Sequence, residues 1–270
     1  MGIAAEGAEF VSVARTSILS RVMPDPSSNI FTHNRLGKTI TALMMLCWFG
    51  SAGSVFSQEP TIGEKIAQAY EVSGFGEIEE LKFTFNVKKG ETEASRSWVW
   101  LPKDDKVTYL GDGKTDKAIT YDRKDLSAPG SESLKEIDAH FINDQYWLLF
   151  PFHLVWDKGM KVELAGEKVK FPISGRMGRM VSVIYPPTGG YTPGDRYDLF
   201  LDDNNMIAEW IFRRGGSEKP TVIATWEDNR LMGPIVMSLN HVGSDGKFHV
   251  WFTGVELKLS GSGDRIKSDQ

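Results

Sequence analysis

The sequence lacks several features that would assign a function directly. Its 270 residues include one cysteine, which excludes an internal disulfide and a cysteine-based zinc site. The formal net charge of −5 provides no basic surface for nucleic acid. Hydrophobic residues make up 41% of the chain and charged residues 25%, a balance typical of a folded domain with a sizeable core rather than of a disordered or many-spanning membrane protein.

Motifs for common catalytic chemistries are also missing. No G-x-S-x-G nucleophile elbow occurs, and Gly111-Asp112-Gly113 lacks the third glycine of a dinucleotide-binding fingerprint. Paired acidic residues fall at strand starts or turns, which do not supply the facing carboxylates of a glycosidase. Four histidines lie beyond residue 57, none spaced as a helical zinc pair, and each is interpreted as structural: His140, His153, His241 and His249. We therefore expect no catalytic site, metal or cofactor.

An export signal is predicted near the beginning of the chain. Arg35 and Lys38 precede an apolar run, residues 40–49, that is too short to span a bilayer comfortably. Val55 and Ser57 then stand at the third and first positions before Gln58, a pattern that fits signal peptidase cleavage. The sequence predicts that residues 1–57 form an upstream extension with a signal peptide, cleaved after Ser57, and that the protein is exported to the periplasm. A buried helix or an uncleaved anchor is the alternative.

Alternating apolar residues predict antiparallel strands through much of the remaining chain. The segment 81–88 alternates without a fault, and Arg96, Trp98 and Trp100 share one face of the next strand. The connections among the first four strands are too short for parallel crossovers. An amphipathic helix is predicted before these strands, over residues 62–70. Six later segments read as extended: residues 180–185, 196–201, 206–213, 221–226, 235–241 and 247–252.

A very apolar helical insertion is predicted between these two groups of strands. Residues 131–156 show no alternation: a helix is predicted up to Phe141, a second and very apolar one over residues 142–150, and Pro151 is expected to kink or interrupt it. Its many aromatic side chains cannot lie exposed on a folded domain. Several later strands carry bulky apolar residues on both faces, so the sheet is expected to be covered on both sides or to curve around a filled or fillable interior.

This order of elements resembles the Lol-type carriers that move lipoproteins across the bacterial periplasm. The resemblance covers most of residues 60–256 in the order and type of elements, and the tract 143–157 also resembles a block in uncharacterised exported bacterial proteins. It implies an α+β, mainly antiparallel fold: a curved half-barrel of about ten or eleven strands with an N-terminal helix and a helical lid. Residues 58–259 would form this single domain, followed by a disordered tail over residues 260–270.

The site predicted on this basis is an apolar cavity between the concave sheet and the helical lid. Aromatic side chains supply apolar area, and a curved sheet supplies the concavity that acyl chains need. Arg96 is expected to meet a lipid headgroup or a lid carbonyl, to stack on a ring, or to extend outward to solvent. The predicted ligand-binding residues are Phe83, Phe85, Arg96, Trp98, Trp100, Trp147, Phe150, Phe152, Trp156 and Trp210.

The sequence thus favours an exported, non-catalytic protein that binds a hydrophobic or lipid-like molecule beneath a helical lid. The alternative is a structural or interaction module whose aromatic residues form a solid core and whose partner is another envelope protein. An enzyme built from scattered polar residues of the same interior has no positive sign in the sequence. An open cavity would favour the carrier, and a core without voids would favour the interaction module.

Overall fold

A computed structural model describes residues 59–112 and 117–268. The predicted signal segment, residues 1–57, lies outside the described residues, so cleavage after Ser57 stays a prediction. The helices are α1 (Ile62–Ala69) and α2 (Glu132–Trp156). Within the described part of the chain, neither helix combines the length and the hydropathy needed to span a membrane. The strands are β1 (Ile78–Lys89), β2 (Thr92–Leu101), β3 (Lys106–Gly111), β4 (Ile119–Asp122), β5 (Lys161–Lys170), β6 (Met177–Ile184), β7 (Arg196–Leu201), β8 (Ile207–Arg213), β9 (Val222–Thr225), β10 (Glu227–Met232), β11 (Ile235–Val242), β12 (Phe248–Leu259) and β13 (Arg265–Lys267).

The strands form two open antiparallel sheets. The first has the order β10-β11-β12-β1-β2-β3-β4, with β13 paired to β12, and the second has the order β5-β6-β7-β8-β9. Helix α1 precedes β1, and α2 is inserted after β4. The predicted fold class, α+β with mainly antiparallel strands and a helical insertion after the fourth strand, is therefore confirmed.

The two sheets meet along a seam between β9 and the end of β11. An isolated bridge joins Ala224 to Gly243. Beside it, the N–H of Val242 donates to Oγ1 of Thr225 at 2.9 Å, and the N–H of Ser244 donates to the carbonyl of Ile223 at 2.9 Å. Because only residue 226 separates β9 from β10, the chain passes directly from the second sheet into the first at this seam.

Helix α1 is short but well defined at its start. Thr61 and Glu64 form a capping box that satisfies free amide groups of the first turn. Ile66 is fully buried, and so is Tyr70, whose hydroxyl accepts a hydrogen bond from the N–H of Ile207 at 3.2 Å. The helix predicted at the start of the domain is thus present and is anchored to β8.

Helix α2 fills the space that the sheets enclose. Its residues from Phe141 to Leu154 are almost all buried, because apolar side chains surround the helix instead of forming one stripe. The two predicted helical parts are one helix with a distortion at Leu149, where φ is −125° and ψ is 22°. Pro151 explains the distortion, since it has no N–H for the carbonyl of Trp147 and its ring crowds that carbonyl.

Burial on both faces of the second sheet, predicted from the sequence, has two sources. Tyr197 and Leu199 belong to the main core on the inner side, with α2. On the outer side Phe200 packs with Phe171 and Ile211 in a small separate cluster, to which the segment after β5 contributes Phe171. The interior is therefore filled, and the outer face carries its own local cover.

Three strands were not predicted from the alternation of apolar residues, and the prediction of a disordered tail is wrong. β5 and β10 are largely exposed, so they carry few buried residues from which a period could be read. The third is β13, which pairs with β12 inside the segment predicted to be disordered. Its Arg265 forms ion pairs with Glu80 and Glu256, and the N–H of Ser268 donates to the carbonyl of Val255 at 2.9 Å. Of these partners only Glu80 is distant in sequence, and the polar composition of the tail gave no sign of the pairing.

Candidate functional site

The predicted lining residues come together in one interior. All nine predicted aromatic residues belong to, or pack against, the same hydrophobic core, with Trp156 partly buried at its edge. Arg96 enters the same region from β2, on the face that also carries Trp98 and Trp100. Their placement agrees with the sequence analysis, while their role in binding a ligand stays a prediction.

Rings of α2 meet rings of both sheets. Phe141 lies with its centroid 5.5 Å from that of Trp98 and 5.6 Å from that of Trp100, both edge-on. Further along the helix, Trp147 lies 4.7 Å and Phe150 5.3 Å from the ring of Trp210 on β8. These separations are those of rings in direct contact. With α2 in this position, the helix occupies the space in which a ligand was predicted.

Two pockets formed by the described residues lie outside this interior. One, of about 410 Å³, lies at the seam and includes Val222, Gly243 and Phe248 in its lining. The other, of about 470 Å³, lies on the first sheet and includes Lys82 and Glu256. Neither lies between α2 and the sheets, so any ligand site there requires the helix to move.

Arg96 pairs with a carboxylate of α2. Its Nε and Nη2 atoms donate to Oδ2 and Oδ1 of Asp144 at 2.7 and 2.5 Å. Nε1 of Trp98 donates to the same carboxylate at 2.9 Å. The Arg96 guanidinium also stacks 5.0 Å from the centroid of Phe85. Burial would lower the pKa of Arg96, but the charge and the hydrogen bonds of Asp144 together outweigh it and raise that pKa.

This arrangement decides between the alternatives left open for Arg96. Ring stacking is present, and the group of α2 that meets the guanidinium is the side chain of Asp144 rather than a backbone carbonyl. Asp144 lies inside the helix and is fully buried. The signal that could have found it is a lone acidic residue between Phe141 and Trp147, since a buried carboxylate needs a charged partner.

A second arginine holds the first half of α2. Nε of Arg123 donates to Oδ1 of Asp138 at 2.8 Å, and its Nη1 donates to Asp105 at 3.0 Å. The hydroxyl of Tyr121 donates to the same Asp138 oxygen at 3.0 Å. Burial raises the pKa of Asp138, against the lowering effect of Arg123. Tyr191, in the loop between β6 and β7, stacks on Arg123, with the guanidinium carbon 5.5 Å from the ring centroid. This loop therefore also contacts the residues that hold the first half of α2.

Asp157 holds the other end of α2. Its Oδ2 accepts hydrogen bonds from the hydroxyls of Tyr146 at 2.6 Å and Tyr185 at 2.8 Å. Nδ1 of His153 lies 3.0 Å from Oδ1, and Nε2 of the same ring lies 3.1 Å from Oε1 of Gln145. Burial would raise the pKa of Asp157, but these hydrogen bonds outweigh it and lower that pKa. Tyr185 follows β6, so this cluster ties α2 to the second sheet.

A group of ring nitrogens in the interior has no hydrogen-bond partner. It comprises Nε1 of Trp210, Nε1 of Trp226 and both nitrogens of His241. The ring centroid of Trp226 lies 4.2 Å from His241 and 5.0 Å from Trp210, and Trp147 of α2 lies 5.4 Å from His241. Burial lowers the pKa of His241 to about 3, so its ring is neutral. We refer to Trp210, Trp226 and His241 as the ring-nitrogen cluster.

The sequence analysis did not predict that these three residues form a cluster. His241 was interpreted as structural, Trp210 as a lining residue, and Trp226 as part of a strand. Their proximity depends on the seam, since they come from β8, the β9–β10 junction and β11. Within the part of the chain that the structure describes, no three histidine, cysteine, aspartate or glutamate side chains gather in a way that could hold a metal ion.

Comparison with known proteins gives similarity to solved structures alone. No family model and no curated protein matches the chain. A LolA superfamily protein from Nitrosomonas europaea is 7% identical, with 73% of this chain and 93% of that one covered and a TM-score of 0.43. A DUF1329 family protein from Desulfovibrio piger is 7% identical, with 72% and 90% covered and a TM-score of 0.38.

A third solved structure is a domain named as an outer membrane lipoprotein-sorting protein, from Vibrio parahaemolyticus. It is 10% identical, with 76% of this chain and 93% of that one covered and a TM-score of 0.37. The structures found include the kind of protein that the sequence analysis named as a resemblance, each at a TM-score below 0.5. Similarity at this level carries nothing about the ligand or activity of this chain.

Proposed function

We propose that this protein is an exported, non-catalytic carrier that binds a hydrophobic or lipid-like molecule between its two sheets. One observation supports the proposal above all: a single helix, α2, fills the interior. Phe141 and Trp147 of α2 contribute rings that meet Trp98 and Trp100 of the first sheet and Trp210 of the second. If the helix withdrew, a concave surface lined with aromatic side chains would remain.

The way in which α2 is attached is compatible with such movement. Polar clusters at Asp138, Asp144 and Asp157 hold it, while apolar ring contacts hold its middle. The distortion at Leu149 and the missing hydrogen bond at Pro151 lie between Asp144 and Asp157. The two halves of the helix can therefore change their relative angle without breaking a regular hydrogen-bond ladder.

A hydrophobic ligand can offset the contacts that α2 loses. Each methylene group that leaves water contributes about 0.8 kcal/mol, so a long acyl chain covers aromatic surface at a gain comparable to several ring contacts. Binding of this kind needs no ionisable group in the cavity, which agrees with an interior dominated by aromatic rings.

Native mass spectrometry of the purified protein, with organic extraction of bound molecules, tests the proposal. A co-purifying acyl species, or uptake of a fluorescent fatty-acid probe by the extracted protein, is the expected result. Trp210→Ala should weaken uptake of the probe, because it removes an interior ring. Trp251→Ala is the matched control, since Trp251 stacks on His249, on strand positions that face away from the core. An empty protein that takes up no probe would refute the carrier function.

A second candidate is an interaction module with a solid core. The observation in its favour is that the interior rings are in contact and that both of the clearest pockets lie elsewhere on the described residues. In that case α2 stays in place, no probe enters, and the partner is another envelope protein. The probe experiment distinguishes the two functions.

A further inference from the structure

We propose that the ring-nitrogen cluster of Trp210, Trp226 and His241 is the point at which the carrier recognises the polar group of its ligand. The cluster would select an uncharged hydrogen-bond acceptor, such as an ester or amide carbonyl, over a carboxylate. This inference rests on the proposed carrier function and deepens it by naming the class of ligand.

The cluster is deeply buried and its hydrogen-bonding capacity is unused. His241 is 0% exposed, and Trp210 and Trp226 are each 2% exposed. Buried polar groups nearly always find a partner, and a group left without one destabilises the fold. The indole of Trp98 shows the usual outcome in the same interior, since its N–H donates to Asp144. The four nitrogens on these three adjacent rings therefore have no partner in hydrogen-bonding geometry in the closed protein, and the nearest groups are backbone atoms around His241 and the hydroxyl of Tyr70 at Trp226.

The groups closest to these nitrogens indicate how a ligand would be accommodated. The backbone of Trp147, Thr225 and Ser238 lies near the imidazole of His241, yet no contact reaches hydrogen-bonding geometry. The carbonyl of Trp147 has no helical partner, because residue 151 is a proline. In the closed protein the backbone carbonyl of Trp147 in α2 thus lies near the His241 ring, whose N–H lacks an acceptor. When α2 withdraws, a ligand carbonyl can replace it.

The surroundings favour a neutral acceptor. Within the described residues, the rings that contact the cluster are those of Trp147, Tyr197, Phe150 and Phe252, which carry no charge. The guanidinium of Arg96 is already bound to Asp144. A carboxylate at the cluster would lose its hydration without gaining a counter-charge, at a high cost in free energy. Two indole N–H groups and a neutral imidazole suit a carbonyl oxygen instead.

The cluster lies directly behind the seam. Phe248 lines the pocket of about 410 Å³ there, and its ring centroid lies 5.6 Å from that of Trp147. Gly243, in the same pocket, is two residues from His241 on the same chain segment. The rings of Phe248 and Trp147 therefore connect this pocket to His241, and the polar part of a ligand has a short path to the cluster.

Three probes of equal chain length test the proposal: a pyrene-labelled fatty acid above its own pKa, its methyl ester, and the corresponding pyrene-labelled alkane. We expect the wild-type protein to bind the ester about tenfold more tightly than either of the others, as one well-formed hydrogen bond would give. His241→Leu should remove this preference while leaving affinity for the alkane unchanged. Trp226→Phe should reduce it and provides a second variant if the first does not fold.

Trp251→Phe is the matched control on the outer face and should retain the ester preference. If His241→Leu and Trp226→Phe bind the ester as wild type does, or if the fatty acid binds as tightly as the ester, the recognition point is overturned although the carrier function stands. If none of the three probes binds to the wild-type protein, both proposals are overturned.

Discussion

The ion pair between Arg96 and Asp144 allows a quantitative test of how α2 is held. The carboxylate is fully buried and accepts two hydrogen bonds from Arg96 and one from Trp98. The Arg96 side chain retains 19% of its exposure. Arg96→Met keeps an unbranched apolar stem but removes the guanidinium, with its contact to Phe85, and leaves a buried charge without a counter-charge. Loss of one partner of a buried pair destabilises a protein by about 3–5 kcal/mol.

The double variant Arg96→Met/Asp144→Leu separates charge from packing. It removes both charges, so the largest penalty disappears. What remains is the loss of the acceptor for the indole N–H of Trp98 and for the side-chain amide of Asn143, of which the buried indole costs about 1–3 kcal/mol. The double variant should therefore be more stable than Arg96→Met alone. Under the carrier function, Arg96→Met should also take up the hydrophobic probe faster, because α2 is held less firmly.

Urea denaturation followed by tryptophan fluorescence measures these free energies of unfolding. Lys161→Met is the control, since the pair between Lys161 and Glu163 is exposed on both side chains and should contribute nothing measurable. The reasoning is refuted if Arg96→Met costs less than about 1 kcal/mol, the range of a surface pair. It is equally refuted if the double variant is no more stable than that single variant.

Three further predictions follow from other parts of the fold. Burial lowers the pKa of His241 to about 3, so the unfolded chain takes up a proton that the folded protein does not. As the pH falls from about 6.5, wild type should lose about 1.4 kcal/mol of unfolding free energy per pH unit relative to His241→Leu; parallel stability curves from urea titrations would contradict this. Gly74→Ala should destabilise by about 1–3 kcal/mol, because its Cβ would lie 2.2 Å from the carbonyl oxygen of Pro234, whereas Gly76→Ala meets nothing within 4 Å. Equal urea midpoints for these two variants would argue against the close approach. Deletion of residues 260–270 should lower the urea midpoint, because it removes β13 from β12, and an unchanged midpoint would restore the interpretation of a disordered tail.

Much of the fold could be predicted because its pattern is local. In β1 and β2 the alternation records which side chains leave water, so the inward face of Phe83, Phe85, Trp98 and Trp100 follows from spacing alone. The apolar segment before and after Pro151 likewise indicates a buried helix whatever it packs against. The distant resemblance of fold rests on the same order of elements.

The candidate site could be predicted less well, because its features do not form a local pattern in the sequence. Periodicity states that a side chain is buried but not what covers it, so it could not decide whether the aromatic residues line a cavity or meet the rings of α2. The partner of Arg96 is 48 residues away along the chain, and Trp226 and His241 meet because the pairing of β10 with β11 sets residue 227 opposite residue 240.

The sequence by itself determined the strands with one buried face and the apolar character of the inserted helix, while export to the periplasm stays a prediction. Tertiary structure alone decided the pairing of Arg96 with Asp144, the ion pair of Arg265 with Glu80 and the grouping of unpaired ring nitrogens near the seam. The physical reason is that burial patterns are encoded between neighbouring residues. Charge pairing, ring contacts and the accounting of buried hydrogen bonds depend on residues that are far apart in the chain and adjacent only after folding.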